Sequence, residues 1–591
     1  MKTKLINDNF KTNYVDSLLM SRGIKNPMDY YQPYSGFLQP PTDLENVERG
    51  ANVLVGALAM EEKILIVVDS DNDGFTSATI MYNYLKDLAP DCKIDYILHE
   101  GKQHGLQDHI KALTEEGGET YGLIILPDSS SNDYVYHEKL KDLGTSVLVL
   151  DHHITDTELS ENAVIINNQL SPNYKNKELT GAGVVYQFCR YLDMKLGKNF
   201  ADKYMDLAAW GIIGDMGSML ELENRYIVKE GLKNINNKLL WALMEKQAYS
   251  ITGAMSPSKQ DLIDAMNPIS VAFYIVPLVN AMIRVGTMEE KKRLFEAFLD
   301  GDKLIPSGKR GAKGTMEKAG VEAARECSNA RNRQNKSLEV AMDKTEIKIH
   351  KYDLLENRVL FVRLDEDDTF PSELNGLLAM KLSAKFKRPT IVARLNDQGF
   401  NRGSMRGLNQ SELVSFKDFL TESGLFEYVQ GHDNAAGCSI PNANLANFHK
   451  WANEALVDID FGENCYDVNF DRIAADADLA DIICDIGNHG GIWGQQNPEP
   501  LIHVTDINIT MSDVQIMGKN KDTVKFEKFG IAYMKFHAKD LIEELSKHSS
   551  MKVEVVGRAN LNEWCGKVTP QIFIEDIEVK NNALGFYGFS D

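Results

Sequence analysis

The chain has 591 residues, 43% of them hydrophobic and 25% charged, with a formal net charge of −22. Those proportions exclude a fibrous or low-complexity protein, and the length implies three or four domains. The acidic total argues against a wholly basic nucleic-acid binder, although local clusters rather than the sum set the field a ligand meets.

In chain order, the start MKTKLINDNFKTNY has no continuous apolar core of a secretory signal, and residues 1–45 are expected to form a helical segment. No stretch reads as a membrane span of roughly 20 apolar residues. From Lys63 onward short apolar runs alternate with helical patterns. KILIVVD precedes a helical reading from Ser77 to Leu88; KIDYIL, IKALTEEG, YGLIILPD, YHEKLKDLG and TSVLVLDHH follow. Strands separated by helices predict a doubly wound parallel sheet, an α/β domain assigned to residues 46–300. In such sheets functional groups gather beyond the C-terminal ends of the strands. Three of these runs end in acid, at Asp69, Asp128 and Asp151.

Residues 301–345 read as a connector whose later half, from about Lys309, is a long polar helix. A second, smaller α/β pattern covers 346–455, and strand-like runs from 456 to 591 predict a five-stranded oligonucleotide-binding type β-barrel. Two segments oppose the global charge: Lys309–Lys336 holds eight basic residues and three acidic ones, and Lys381–Arg406 holds seven basic residues against Asp397 alone. The seven cysteines are scattered without CxxC spacing, as expected of reduced thiols in a cytoplasmic protein.

The stretch DSDNDG, with Asp69, Asp71 and Asp73 at alternating positions, could open a calcium-binding loop. That loop requires a glutamate at its twelfth position, which here is Ile80, and a preceding helix, where the chain is strand-like. The alternative is a metal site assembled from several strand ends: the three aspartates, Asp128, the triplet Asp151-His152-His153, and Asp215 in WGIIGDMGSM. Carboxylate oxygens mixed with imidazole suit Mn2+, Mg2+ or Zn2+. Two such ions close together clamp an in-line displacement at phosphorus.

ILIVVDSDNDG, LPD, VLDHH and GDMGS resemble the sequential motifs of the DHH phosphoesterase superfamily. NPISVAFYIVPLVNAMIRVGT, the segment Asn375–Val392, Gly403–Arg406, GHDNAAG, NPEPLI and GRANLNEWCGKVTPQIFIEDIEV are similar, in the same order, to later segments of RecJ-type exonucleases. The resemblance implies a DHH catalytic domain, a connector helix, a DHHA1-like substrate-binding domain and an OB-type barrel. It implies a metal-dependent, single-strand-specific DNA exonuclease that works from the 5′ end, releases 5′-mononucleotides, and serves DNA repair, recombination or replication. Two Mn2+ ions, with Mg2+ as a substitute, would be held by Asp71, Asp73, Asp128, His152 and Asp215, with Asp69 as a ligand or an outer partner. Asp151 would orient a histidine and His153 would face the scissile phosphate. Asn280 and Arg284 would bind phosphate, as would Ser404, Arg406, Gly431, His432 and Asn434 of the accessory domain. Trp564, Phe573 and Arg558 are candidates to contact a strand at the barrel. Single-stranded DNA is the expected partner, with a helicase or single-strand-binding protein assisting a monomer. The chain departs from the family pattern at Val67-Val68, where His-Gly is usual, at GDMGSM, where Ala-Asp-x-x-Pro is common, and at Gln430-Gly431, where two glycines are usual. None of these removes an expected ligand. The other readings are a phosphodiesterase for short oligonucleotides or cyclic dinucleotides, and a non-catalytic replication scaffold.

Overall fold

The computed structural model describes the chain except residues 7–12, 102, 116–118, 156–157, 313, 366–368, 474–476, 565–566 and 581–591. It divides into two compact units, Met28–Glu339 with Gly491–Asn497, and Met1–Pro27 with Val340–Gly490 and Pro498–Asp591.

The first unit is built on five parallel strands, β1 (Ile64–Val68), β2 (Ile94–Leu98), β3 (Leu123–Pro127), β4 (Ser146–Asp151) and β5 (Ala163–Asn167). Their order across the sheet is β2-β1-β3-β4-β5. The unbroken apolar runs follow from burial on both faces. Ile64, Ile66, Val68, Ile125, Leu148 and Leu150 join one apolar cluster, while Leu65, Val67, Ile124, Leu126, Val147 and Val149 join another. Helices α1 (Asn72–Leu88), α2 (Gly181–Leu196) and α3 (Met205–Gly214) contribute to the first cluster. So does α4 (Val276–Val285), which continues a π-helical turn at Val271–Ile275. The run Pro268–Val285 is long and apolar enough, by length and composition alone, to cross a membrane, but more than half of it is buried within the protein. It reads as a core helix.

Two elements differ from expectation. The connector helix α5 spans Ala319–Lys351, and residues before it form a short hairpin, Leu304–Pro306 against Met316–Lys318. Gly311 and Gly314, both at positive φ, turn the chain there and stop the helix from starting earlier. Residues Lys2–Leu5 form a strand, not a helix, paired in parallel with Cys465–Val468. Such a distant pairing has no local signature.

In the second unit, residues 360–441 carry a five-stranded mixed sheet, with the order Tyr428–His432, Ala435–Pro441, Phe400–Arg406, Thr390–Leu395, Leu360–Arg363. Seven strands between Phe470 and Lys580, two more than the five expected, form the C-terminal β-domain. The side chain of Trp564 lies outside the described residues, whereas Arg558 pairs with Glu575 at 2.6 Å and Phe573 lies 5.7 Å from Phe536.

Candidate metal centre and phosphate pocket

Sheet order places the acids. β1 and β3 are neighbours, and the chain leaves them for opposite sides of the sheet, which makes their C-terminal ends the topological switch point of a doubly wound fold. Asp69, Asp71 and Asp73 follow β1, Asp128 follows β3, and Asp151 ends β4. Asp215 ends α3. Three sets of ligand atoms each lie within 4.8 Å: Asp69, Asp71 and Asp128; Asp73, His152 and Asp215; and Asp128, Asp151, His152 and His153. His152 Nε2 is 3.2 Å from Asp128 Oδ1 and 3.5 Å from Asp215 Oδ2.

Each carboxylate is fixed by what surrounds it. Asp71 caps α1 by accepting from the Gly74 N–H at 3.0 Å. Asp73 accepts from Thr180 Oγ1 at 3.2 Å and from the Ala182 N–H at 3.1 Å. Asp69 Oδ2 lies 2.6 Å from His104 Nδ1. Asp128, at φ 67°, and Ser130, at φ 80°, hold the turn after β3 in the left-handed region. Such strain persists only where surrounding structure imposes it, and it concentrates at functional sites. Asp151 accepts from the Ser131, His152 and His153 N–H groups and from His153 Nδ1 at 2.7 Å. It therefore orients the loop and the His153 ring.

The electrostatics divide the two histidines. Burial and the charge of His153 push His152 down to about 4, so its ring is neutral and able to ligate. Burial opposes protonation of His153, but the Asp151 carboxylate outweighs it and raises His153 to about 10. Burial likewise works to raise Asp151, yet the bond and charge of His153 hold it well below the usual carboxylate range. Burial, then crowding by other carboxylates, raises Asp73 to about 7 and lifts Asp128 and Asp215 well above their ordinary value. Burial also raises Asp69 to about 6 against the pull of His104.

Such crowding is costly without a cation. Asp69 Oδ1 and Asp73 Oδ2 are buried with no hydrogen-bond partner. These free oxygens and the neutral imidazole fit hard divalent ions. A pH dependence follows. Asp69 and Asp73 keep protons in the folded protein at pH values where the unfolded chain, with carboxyls near ~4, has released them. With chelator present, the thermal midpoint should therefore fall as pH rises from about 5 to about 8. Mn2+ should raise that midpoint more at the alkaline end, because binding displaces those protons. A chelated midpoint that climbs steadily over this range contradicts the assignment.

Beside the metal edge, a cavity of about 160 Å³ is lined by Ser70, Asp71, Asn72, Gly214, Asp215, Asn280, Ile283 and Arg284. Asn280 and Arg284, one turn apart on α4, thus line the same cavity as Asp71 and Asp215. Burial lowers the Arg284 pKa, while the charge of Asp71 opposes that shift. The remaining expected residues form a separate group in the second unit. Ser404 and Arg406 belong to the strand Phe400–Arg406, with Arg406 opposite Ala435 and Ser404 opposite Gly437. Gly431, at φ 135°, and the exposed His432 end the strand Tyr428–His432, which pairs with the far side of Ala435–Pro441. Asn434 was expected to donate to a ligand, but its amide donates to the Val414 carbonyl at 3.0 Å and holds the turn.

Sequence reasoning missed His104, Thr180 and a set of packing glycines. A Cβ at Gly74 would meet Asp69 Cβ at 2.5 Å, and one at Gly181 would meet Asp128 Cβ at 2.6 Å. At Gly211 and Gly214 it would strike Asp73 and Asn72. The signal was present as glycines inside otherwise helical patterns, GAGVV and WGIIG.

The DHH family N-terminal domain model matches residues 63–212, and the RecJ OB domain model matches residues 475–576. A putative SPbeta prophage-derived single-strand DNA-specific exonuclease, YorK, of Bacillus subtilis is 35% identical over 588 residues, covering 98% of both chains. The single-stranded-DNA-specific exonuclease RecJ of the same organism is 25% identical, covering 97% of this chain and 69% of that protein. The crystal structure of Thermus thermophilus RecJ in complex with Mn2+ aligns with a TM-score of 0.71 at 19% identity, over 99% of this chain and 80% of that one. Ordered motifs, full-length similarity and shared fold agree: the chain belongs to the RecJ family of the DHH phosphoesterase superfamily.

Proposed function

We propose that the protein is a metal-dependent, single-strand-specific DNA exonuclease that removes 5′-mononucleotides from the 5′ end, with two Mn2+ ions as cofactor and Mg2+ as a substitute. The observation that carries this reading is the joining of buried, unpartnered carboxylate oxygens to an arginine-lined cavity on one sheet edge. Asp69, Asp71, Asp73, Asp128, His152 and Asp215 would hold the ions, whose chemistry is to activate water and neutralise charge at phosphorus. Arg284 presents a planar fork to two phosphate oxygens, and Asn280 adds an amide beside it. The His153 imidazolium, kept charged by Asp151, opposes the negative charge that grows on the phosphoryl oxygens.

Ser404, Arg406, Gly431 and His432 would take further phosphates of the strand. We expect Arg406→Ala to weaken single-strand binding and to reduce the salt slope of log K by about 0.7, one phosphate contact. Binding titrations at several salt concentrations check this, and an unchanged slope removes Arg406 from the interface. The assigned roles in repair, recombination or replication, action as a monomer, and assistance from a helicase or single-strand-binding protein rest on the family alone.

The test is mononucleotide release from 5′-labelled single strands, 3′-labelled strands, duplex and dinucleotides, with Mn2+ and with chelator. Release confined to single strands and to the 5′ end supports the reading. Cleavage of dinucleotides only would favour a small-substrate phosphodiesterase, and no cleavage would favour a scaffold.

A further inference from the structure

We infer that the segment Gly491–Asn497 is a positioning element of the metal centre: it seats the loop that carries Asp215 and so sets how tightly the site holds its ions. This rests on the reading of Asp215 as a metal ligand and deepens it.

Asp215 differs from its neighbours in how it is held. Asp69, Asp71, Asp73 and Asp151 each have a hydrogen-bonding partner that fixes the carboxylate. Among the described residues, no hydrogen bond reaches the Asp215 carboxylate, and His152 Nε2 stands 3.5 Å away. Its place is therefore set by its backbone. That backbone leaves the end of α3 through Met216 at φ 61°, and the loop then turns inward at the buried Ser218 and Met219.

What receives the loop comes from far along the chain. Gly491–Asn497 belongs to the first compact unit, although the residues on both sides of it belong to the second. The Met219 N–H donates to the Gln495 carbonyl at 2.9 Å. Gly494 lies so close that a Cβ there would meet Met219 Cγ at 2.6 Å and Pro268 Cβ at 3.1 Å. Pro268 opens the helical run that leads into α4, with its Asn280 and Arg284. The Gln496 amide donates to the Glu178 carboxylate at 3.0 Å, and Thr180, just beyond, donates to Asp73. Asn224 ties the same two loops together, donating to the carbonyls of Glu178 at 2.9 Å and Ser218 at 3.1 Å.

The segment is itself clasped. Gly494 and Asn497 exchange backbone hydrogen bonds at 2.9 and 3.1 Å. The buried Asn497 amide donates to the Tyr30 hydroxyl at 2.9 Å, and that hydroxyl donates to the Ile492 carbonyl at 3.0 Å. Trp493 is buried, and Arg225 lies over the Tyr30 ring and donates to the Gly491 carbonyl at 3.3 Å. Asn497 is also the first residue of the NPEPLI motif, which thus has a task at the catalytic unit. An anchored segment that bonds to a ligand-bearing loop acts on the metal as outer-shell partners do.

The experiment uses the full-length chain as wild type, Gly494→Ala, Tyr30→Phe and Gly490→Ala. Turnover on a 5′-labelled single strand is measured against Mn2+ concentration, and thermal midpoints establish folding. The added methyl of Gly494→Ala presses on the Asp215 loop at Met219. Tyr30→Phe takes a hydroxyl from the clasp without adding volume, and it decides the matter alone if Gly494→Ala does not fold. Gly490 lies just outside the segment with nothing within 4 Å of a Cβ, and serves as the control. Gly494→Ala should raise the Mn2+ needed for half-maximal turnover about tenfold or more, the scale of a lost outer-shell partner. Its KM for the strand at saturating Mn2+ should match wild type. Tyr30→Phe should shift the Mn2+ requirement in the same direction, and Gly490→Ala should not shift it. Folded variants with a wild-type Mn2+ requirement, losing only stability or strand affinity, overturn the inference and leave the exonuclease reading intact. An Asp215→Asn variant with a wild-type Mn2+ requirement removes the ligand reading itself, and the inference falls with it.

Discussion

Replacing Asp128 with asparagine should lower turnover on single-stranded DNA by at least about 10³-fold, since the carboxylate helps hold ions that contribute several kcal/mol of transition-state stabilisation. Asparagine is the informative choice. Asp128 sits at φ 67°, a conformation that asparagine tolerates and alanine resists. Asp128→Asn therefore removes the charge without straining the turn after β3. The folded protein should lose nothing in stability under chelation. Burial, then the charges of Asp73, Asp71, Asp69 and Asp215, lift the Asp128 pKa well above its ordinary value. Without metal the folded protein must therefore hold a proton there that the unfolded chain releases, and asparagine removes that cost. The measurement is turnover together with the thermal midpoint, each with Mn2+ and with chelator. The variant should show a midpoint in chelator at or above wild type and a smaller rise on adding Mn2+. Wild-type turnover in Asp128→Asn would remove this residue from the metal centre.

Gly211→Ala should lower turnover by about 10²-fold, the scale associated with misplacing a reacting group by about 1 Å. By helix propensity alone, alanine in the interior of α3 would stabilise by roughly 1 kcal/mol. Here the added methyl strikes Asp73 Oδ1 and Ala182 Cβ, and it lies 2.7 Å from Thr76 Oγ1. Helices α1, α2 and α3 meet at that point, so the methyl must displace a metal-edge carboxylate or push neighbouring helices apart. Overpacking of this kind costs about 1–3 kcal/mol, which outweighs the propensity gain and lowers the midpoint. Gly56, inside the helix Val47–Ala59, supplies the contrast, because nothing lies within 4 Å of a Cβ there. Gly56→Ala should raise the midpoint and leave turnover unchanged. If both substitutions stabilise and neither affects turnover, the glycines are not seats for the carboxylates.

Much of the catalytic unit was legible as local pattern. Apolar runs of strand length that end in Asp69, Asp128 and Asp151 announce both the parallel sheet and the edge on which chemistry gathers. This is because burial on both faces and a polar strand end each leave a mark within a few residues. Asn280 and Arg284 were legible as a helical pair, while the cavity they share with Asp71 and Asp215 was not. The calcium-loop alternative failed on Ile80 and on the strand that precedes Asp69. What misled was the reading of short segments by their neighbours alone. Lys2–Leu5 is a strand because Cys465–Val468 offers it an edge.

Read as a linear string, the chain already declares its acidic strand ends, its buried runs, and a supply of carboxylates and imidazoles sufficient for hard cations. Folding in three dimensions was needed to set β1 beside β3 and to bring His104 to Asp69. The reason is one of range. Periodicity and capping are set by neighbours along the chain, whereas sheet order, glycine-sized gaps and unmatched charges depend on which distant surfaces pack together.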